Sequence, residues 1–418
     1  TLFPCRRFKI AVSLQHQNPH TNKMKHLKVR NFGPIKEADI DLDRIAVVIG
    51  MQSSGKSSIL KMACYCSWVE KRIQLTRSDK MFCEEDNFRN LFVSYYGMGE
   101  YFHTNTLIEY STPFLSFHYK NQEFKSQNKP NIWNYRRPKV QYIPSERNIA
   151  SFIPKWKRIP VRDGLLDFLS EWDLARQSLQ KEDDILQLGI SYSYDKANDT
   201  DNIITLDGNP LPLPDSSSGL QSLIPLYLII DYLHSLQHNN IAQQRELSLE
   251  ERSERDFLIS TIYNTTSPLT ATVQQGQLLM KKRDTEIVLD GKTYKFHDKK
   301  EAEVFINRYN RFLYTDHYEL FLEEPEQNLF PPTQSQLVDW LCEKIFENNS
   351  RNILFISTHS PYILNEMCKQ YRSGMNFYFT YVDKEDSTRY SLRKLSNEEV
   401  NEVYTSGTDL FFNSAAFV

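Results

Sequence analysis

Four short stretches of this chain hold residue types that act on phosphates and water. The first, Gly50-Met51-Gln52-Ser53-Ser54-Gly55-Lys56-Ser57, satisfies the pattern G-x-x-x-x-G-K-[ST] at every specified position. Gly50 and Gly55 let the backbone curl so that successive N–H groups face phosphate oxygens, aided by the positive end of the helix that follows. Lys56 reaches the β- and γ-phosphates, and the Ser57 hydroxyl ligates Mg²⁺. Ser53, Ser54 and Ser58 join these four in the set read as nucleotide-binding.

The second stretch, Leu320-Phe321-Leu322-Glu323-Glu324-Pro325-Glu326, is an apolar run that ends in carboxylates. Consecutive strand residues point to opposite faces, so Glu323 and Glu324 diverge at the tip. That suits Glu323 for the water shell of Mg²⁺ and Glu324 for the attacking water, as general base. Alone, such a pair is an ordinary solvated strand end; behind a phosphate loop it reads as chemistry. The third stretch, Ser216-Ser217-Ser218-Gly219-Leu220-Gln221, is by itself a capped helix start. The fourth, Thr358-His359-Ser360-Pro361, places a histidine just past an apolar strand, where any polar residue can sit.

Elements that could position these residues follow from period and punctuation. Lys25 onward reads as strand, turn at Gly33-Pro34, and strand; Arg44 to Gly50 is a buried-strand run and Ser57 to Trp68 a helix. Strand, glycine loop and helix in immediate succession are the context a phosphate loop needs. Phe82 to Asn134 is aromatic with strand-like pieces, Lys139 to Ile143 a short strand, and Pro154 to Leu188 helical in spacing. Asp207-Gly208 and Asp290-Gly291 mark two hairpins, while Leu220 to Tyr263 and Glu301 to Tyr314 are helical. The strands Glu319 to Leu322 and Asn352 to Ser357 enclose a helix from Ser335 to Phe346, which implies a parallel sheet.

Composition narrows the function classes. Thirteen glycines in 418 residues is under half the usual share of about 7%, which excludes collagenous and low-complexity chains. With 40% hydrophobic, 25% charged and 13% aromatic residues the chain is globular. The net charge of −3 argues against a surface built wholly to trap polyanions. The longest apolar stretch, around Leu220 to Leu233, is broken by Gln221 and Pro225, so no membrane partner is expected. Cys5, Cys64, Cys66, Cys83, Cys342 and Cys368 form no C-x-x-C pair, and free thiols in the cytoplasm follow. His234 and His238 at i, i+4, and the charged run Glu246 to Asp256, read as solvated helix faces. Arg136, Arg137 and Lys139, interleaved with Trp133 and Tyr135, are a candidate contact for DNA or RNA.

In this order, together with the opening Leu27 to Ile35 and the segment Tyr142-Ile143-Pro144-Ser145-Glu146-Arg147, the motifs resemble those of the ATP-binding-cassette (ABC) ATPases. Within them, the chain is similar to the SMC/RecF/OLD-like group of bacterial AAA-type proteins, over Met24 to about Leu364. The resemblance implies an α/β ABC-ATPase head, with mixed and parallel sheets around a P-loop and a helical insertion subdomain. Its cofactors are ATP and Mg²⁺. Two heads sandwich two ATPs as a homodimer or higher oligomer; Ser218 and Gly219 of one face the phosphate loop of the other, and His359 positions the attacking water or the γ-phosphate. Asn31 is a lesser nucleotide contact. Binding closes the dimer and hydrolysis at Glu324 reopens it.

Three departures stand out. Glu323 replaces the Asp that many cassette ATPases carry, the signature reads SSGLQ in place of LSGGQ, and no Q-loop glutamine is evident, Gln141 lying inside a strand. The domain reading is 1–23 as an extension, either non-native or disordered; 24–150 as the lobe with the phosphate loop; 151–315 as the helical insert with the signature; and 316–418 as the lobe with the acids and His359. With the stretch after His359 short and the inserts lacking sustained heptads, neither an appended nuclease domain nor a long coiled-coil arm is expected. Such stand-alone heads resemble the ATPase subunits of Septu (retron-associated, with an HNH endonuclease) and PARIS (with a toprim-type effector) anti-phage systems. The expected function is therefore ATP hydrolysis controlling a separate effector, a nuclease; the alternative is a RecF-like DNA-repair ATPase.

Overall fold

The computed structural model describes residues 25–152, 162–182, 184–239, 249–268, 271–274, 277–280, 283–289, 291–347 and 350–406. The leader 1–23, Asp290, the His238 side chain, residues 246–248 of the Glu246–Asp256 run and the side chains of 249–254 lie outside the described residues. Eleven strands form one sheet: β1 (Lys25–Phe32), β2 (Ile35–Leu42), β3 (Ile45–Ile49), β4 (Phe102–Ser111), β5 (Leu115–Lys120), β6 (Glu123–Asn128), β7 (Pro138–Ile143), β8 (His317–Glu323), β9 (Ile353–Thr358), β10 (Met375–Val382) and β11 (Tyr390–Lys394). Across it they run β6-β5-β4-β1-β2-β11-β10-β3-β9-β8-β7.

The sheet has two halves of different character. From β6 to β2 every pairing is antiparallel, and β1 alternates Leu27 and Val29 inward with Lys28 and Arg30 outward. From β10 to β7 every pairing is parallel, and β3, β8 and β9 are buried at every residue, as continuous apolar runs covered on both faces are. β11 joins the halves, antiparallel to β10 and parallel to β2. The N-terminal and C-terminal segments thus interleave within one sheet.

Two layers cover it. Ala46 and Val48 of β3 share a core with Ile59, Leu60 and Ala63 of α1 (Lys56–Thr76). Ile45, Val47 and Ile49 point the other way, into a core with α2 (Ser218–Asn239), α3 (Pro331–Phe346) and α4 (Pro361–Lys369). The unusual aromatic content is concentrated in the first core, where Phe88 packs against Tyr65 at 5.1 Å and Phe124 at 5.2 Å between ring centres.

The insert carries the expected helices together with strands. Beside its helices it holds a four-stranded sheet, from Lys181–Glu182 to Pro210–Pro212, and two hairpins, Ala271–Gln274 with Gln277–Met280 and Thr285–Leu289 with Lys292–Phe296. Leu258, Ile262, Phe296, Phe305 and Phe312 form a third core, shared with Tyr135 from outside the insert. His234 is no solvated residue: its Nε2 lies 2.8 Å from Glu347 and its side chain is nearly buried. Arg136 and Lys139 pair within the chain, with Asp316 at 2.7 Å and Glu171 at 2.5 Å, while staying partly exposed, and Arg77 and Arg308 each lie over the Trp133 ring.

A buried charge cluster fastens β1, α1 and β8. Lys25 Nζ contacts Glu70 at 2.9 Å and Glu319 at 2.6 Å. Burial alone would raise the Glu319 carboxyl, yet Lys25 and His317 outweigh it and hold it down to about 2. Replacing Lys25 by Met leaves two carboxylates buried without their cation, which costs about 3–5 kcal/mol for a broken buried pair. We therefore expect a clearly lower denaturation midpoint for K25M at pH 7. Because the Glu319 pKa is depressed, the wild-type advantage persists above the ordinary carboxylate range and fades as pH falls toward 2. An unchanged midpoint would contradict this account of the cluster.

Candidate functional site

β3 delivers the chain to the loop at Gly50, and α1 leaves it at Lys56. A Cβ at Gly50 would overlap Thr380 Oγ1, and one at Gly55, where φ is 86°, would come within 2.5 Å of Ile35 Cδ1. Both positions accept only glycine, so the loop is wedged between β10 and the β1–β2 turn. Thr380 Oγ1 hydrogen-bonds Ser54 Oγ at 2.7 Å, and Ser53, at φ 60°, turns the exposed crest. Gly55 caps α1 without a side-chain hydrogen bond, and no acid occupies the first turn. The N–H groups at this end therefore suit an anion. Ser57 is half-buried and Ser58 buried in that first turn.

Lys56 is only 4% exposed and curls over the loop, donating to Gly50 O at 3.0 Å and Met51 O at 2.6 Å. Burial lowers its ammonium to about 8, against the pull of Glu324 and Glu326. A cation held this way, beside carbonyls that it can exchange for phosphate oxygens, is suited to a polyanionic ligand.

The acids meet the loop because β8, β9 and β3 are parallel neighbours whose C-terminal ends coincide: Glu323 pairs with Ser357, and Thr358 with Ile49. Glu323, 3% exposed, has Lys61 Nζ 3.3 Å from its Oε1, and burial raises its carboxyl. Its Oε1 and the neighbouring Ser357 Oγ are buried without a hydrogen-bond partner. A carboxylate oxygen, here one with the Lys61 ammonium beside it, and a serine hydroxyl are hard donors of the kind Mg²⁺ takes, so the donor chemistry of Glu323 and Ser57 fits that ion.

Glu324 turns off the strand in a left-handed conformation, φ 43°, held by its N–H donating to Ser357 O at 2.8 Å. A non-glycine residue there is strained by about 1–2 kcal/mol. The turn leaves its side chain about one-third exposed, with Oε1 3.4 Å from His359 Nε2. His359, then Lys56 and Arg147, hold its carboxyl below the ordinary range, so it is ionised at neutral pH. His359 is itself fixed through its backbone: His359 N donates to Glu326 Oε1 at 2.7 Å, and Thr358 Oγ1 to Glu326 Oε2 at 2.9 Å. Ser360 caps α4, accepting from Tyr362 N and Ile363 N.

The fold brings Lys56, Glu323, Glu324 and His359 together at one sheet edge. Ser218 and Gly219 stand at the start of α2, where Ser218 is exposed and Gly219 packs against Asn328 O. Asn31 lies near the end of β1 at φ 53°, but its side chain is engaged by Arg389 Nη1 at 2.7 Å and by Asn105 O. Gln141 is buried, its amide donating to Tyr142 O. Two motif residues have parts that sequence reasoning missed: Glu326, which fixes the histidine, and Arg147, which is fully buried against the acid loop. Glu326 follows Glu324 at two residues, and that spacing was the one available hint.

Neither a family model nor a curated protein matches the chain. Solved structures similar to it include the SMC head domain from Thermotoga maritima, at 10% identity over 89% of this chain and 98% of that one, with a TM-score of 0.40. Another is an SmcHead bound to the C-winged helix domain of ScpA, at 10% identity, 90% and 98% coverage and a TM-score of 0.38. A third is the Smc head domain with an extended coiled coil, from Pyrococcus furiosus, at 11% identity, 92% and 99% coverage and a TM-score of 0.31. What defines the class here is the chain's own geometry: a mixed α/β sheet whose parallel half presents a phosphate-type loop and an acid tip at one edge.

Proposed function

We propose that the chain is an ABC-type ATPase head that binds Mg-ATP at Gly50 to Ser58 and hydrolyses it with Glu324. One observation carries this: Lys56 and, far along the chain from it, Glu323, Glu324 and His359 converge at the C-terminal ends of adjacent parallel strands. Lys56 gives up the Gly50 and Met51 carbonyls for phosphate oxygens. Ser57 and Glu323 would hold Mg²⁺, which would supply neutralising charge at the phosphates. Glu324 orients a water for in-line attack and accepts its proton, while His359 donates toward the transferring phosphoryl group.

One chain offers donors on one side of a triphosphate only. Around the site Met51, Phe330 and Tyr362 are exposed at 51%, 73% and 45%, an unusual set of large apolar side chains at a polar edge. In this reading a second head covers them and brings Ser218 and Gly219 to the γ-phosphate. Closure and reopening then switch a separate effector, a nuclease of HNH or toprim type, in anti-phage defence; motif resemblance alone supports that last step. The internal pairing of Arg136 and Lys139 gives no support to a RecF-like reading based on those residues. Among the described residues no helix is long and apolar enough to cross a membrane.

The direct test is phosphate release from ATP by the purified chain with Mg²⁺. Turnover that saturates with ATP and vanishes with EDTA is expected, and no turnover at any protein concentration would contradict the reading. The effector step fails if no gene beside this one encodes a nuclease or other toxic protein.

A further inference from the structure

Among the described residues Arg147 is the largest charged side chain that is completely buried, and none of the described carboxylates forms an ion pair with it. Its five N–H donors go to five backbone carbonyls. Nη1 reaches Glu323 O at 2.9 Å and Pro144 O at 3.4 Å; Nη2 reaches Glu324 O at 2.8 Å and Pro325 O at 3.2 Å; Nε reaches Ser222 O at 3.2 Å. Three of these carbonyls belong to the end of β8 and the acid loop after it, one follows β7, and one lies in the first turns of α2. A guanidinium meets all five in one plane-forked geometry, whereas a lysine has three donors on a single atom.

Burying a cation so deeply is costly, and burial lowers its pKa to about 10 even with three glutamates near. The position therefore does something a neutral side chain would not. Two further contacts tie the same two elements: Asn328 Nδ2 donates to Ser222 Oγ at 3.1 Å, and Gly219 packs so tightly on Asn328 O that a Cβ would stand 2.9 Å from it. The strained turn at Glu324 is held from two sides, by Ser357 O on its N–H and by Arg147 on its carbonyl.

We propose that Arg147 is a positioning residue that fixes Glu324 in its left-handed turn and ties the acid loop to the start of α2, so that the two move as one body. On the proposed ATPase reading, this tie carries the nucleotide state of the loop to Ser218 and Gly219, where a second head would dock. A displacement at Glu324 cannot leave Ser222 behind while the guanidinium spans both.

The test uses the full chain with Arg147→Met and Arg147→Lys, followed by amide hydrogen exchange and ATP kinetics. In R147M, exchange across Glu323 to Gln327 and Ser218 to Ser222 should accelerate at least tenfold while α1 stays at the wild-type rate. The kcat should fall at least thirtyfold, with KM and the Kd for ATPγS within threefold. R147K should be intermediate, and if R147M does not fold, R147K decides by the same readouts. ATPγS should slow exchange in both segments of the wild type but only in the acid loop of R147K. Unchanged local exchange, equal acceleration throughout the chain, or equal slowing of both segments in R147K would each overturn the proposal. If the wild type binds no ATP, the ATPase reading fails, while the exchange without nucleotide still decides whether Arg147 holds the loop.

Discussion

Glu324→Gln is expected to bind ATP as the wild type does and to turn it over at least a hundredfold more slowly. The change is isosteric and removes only the charge and the proton acceptor, and positioned general bases contribute about 10²–10⁴-fold. Binding should survive because Lys56, the loop amides and the Glu324 backbone, held by Ser357 O and Arg147, are untouched. The carboxylate is depressed by His359, so as a base it is weak and its main work is to orient water and take the proton late. Single-turnover phosphate release beside a Kd measurement checks both halves. A wild-type rate for E324Q would remove the assignment of the base.

The second large effect is on binding itself. Lys56→Ala should weaken ATP affinity at least thirtyfold, read by calorimetry or a fluorescent analogue. The side chain is buried in the loop, and its ammonium already sits against carbonyls at 2.6 and 3.0 Å, preorganised where the phosphates arrive. Its loss removes a partly desolvated charge facing a polyanion, a far larger matter than losing a surface cation. The fold should survive, since no strand or core contact depends on the ammonium. Unchanged affinity in K56A would mean that nucleotide, if bound, is bound elsewhere.

What was legible in the sequence was local. The run Ile45 to Ile49, the two glycines and the helix after them are consecutive, and each states its own conformation; they form β3, the loop and α1 as read. Glu323 and Glu324 were legible because an apolar strand that stops at two acids has little else to mean behind such a loop. The part of Arg147 was not, because its acceptors come from Pro144, Ser222 and Glu323 to Pro325, and nothing local predicts five carbonyls gathered from three segments. For the same reason the place of β10 and β11, between β2 and β3, was invisible: strand order is set by long-range pairing. The helix Asn87–Tyr96 escaped notice because its aromatic residues suit a strand as well, and only packing of Phe88 and Phe92 on Tyr65 selects the helical period. The helical reading of His234 as solvated failed on its partner Glu347, more than a hundred residues away.

Sedimentation velocity of the Glu324→Gln chain, with and without Mg-ATP, bears most directly on the central claim that two heads close on shared nucleotide. The variant holds ATP without consuming it, so the closed state accumulates if it exists. We predict a monomer without nucleotide and a species of twice that mass with Mg-ATP, lost again when Lys56→Ala is added to the same chain. A monomer at saturating ATP, or a dimer indifferent to nucleotide and to Lys56, would contradict the account.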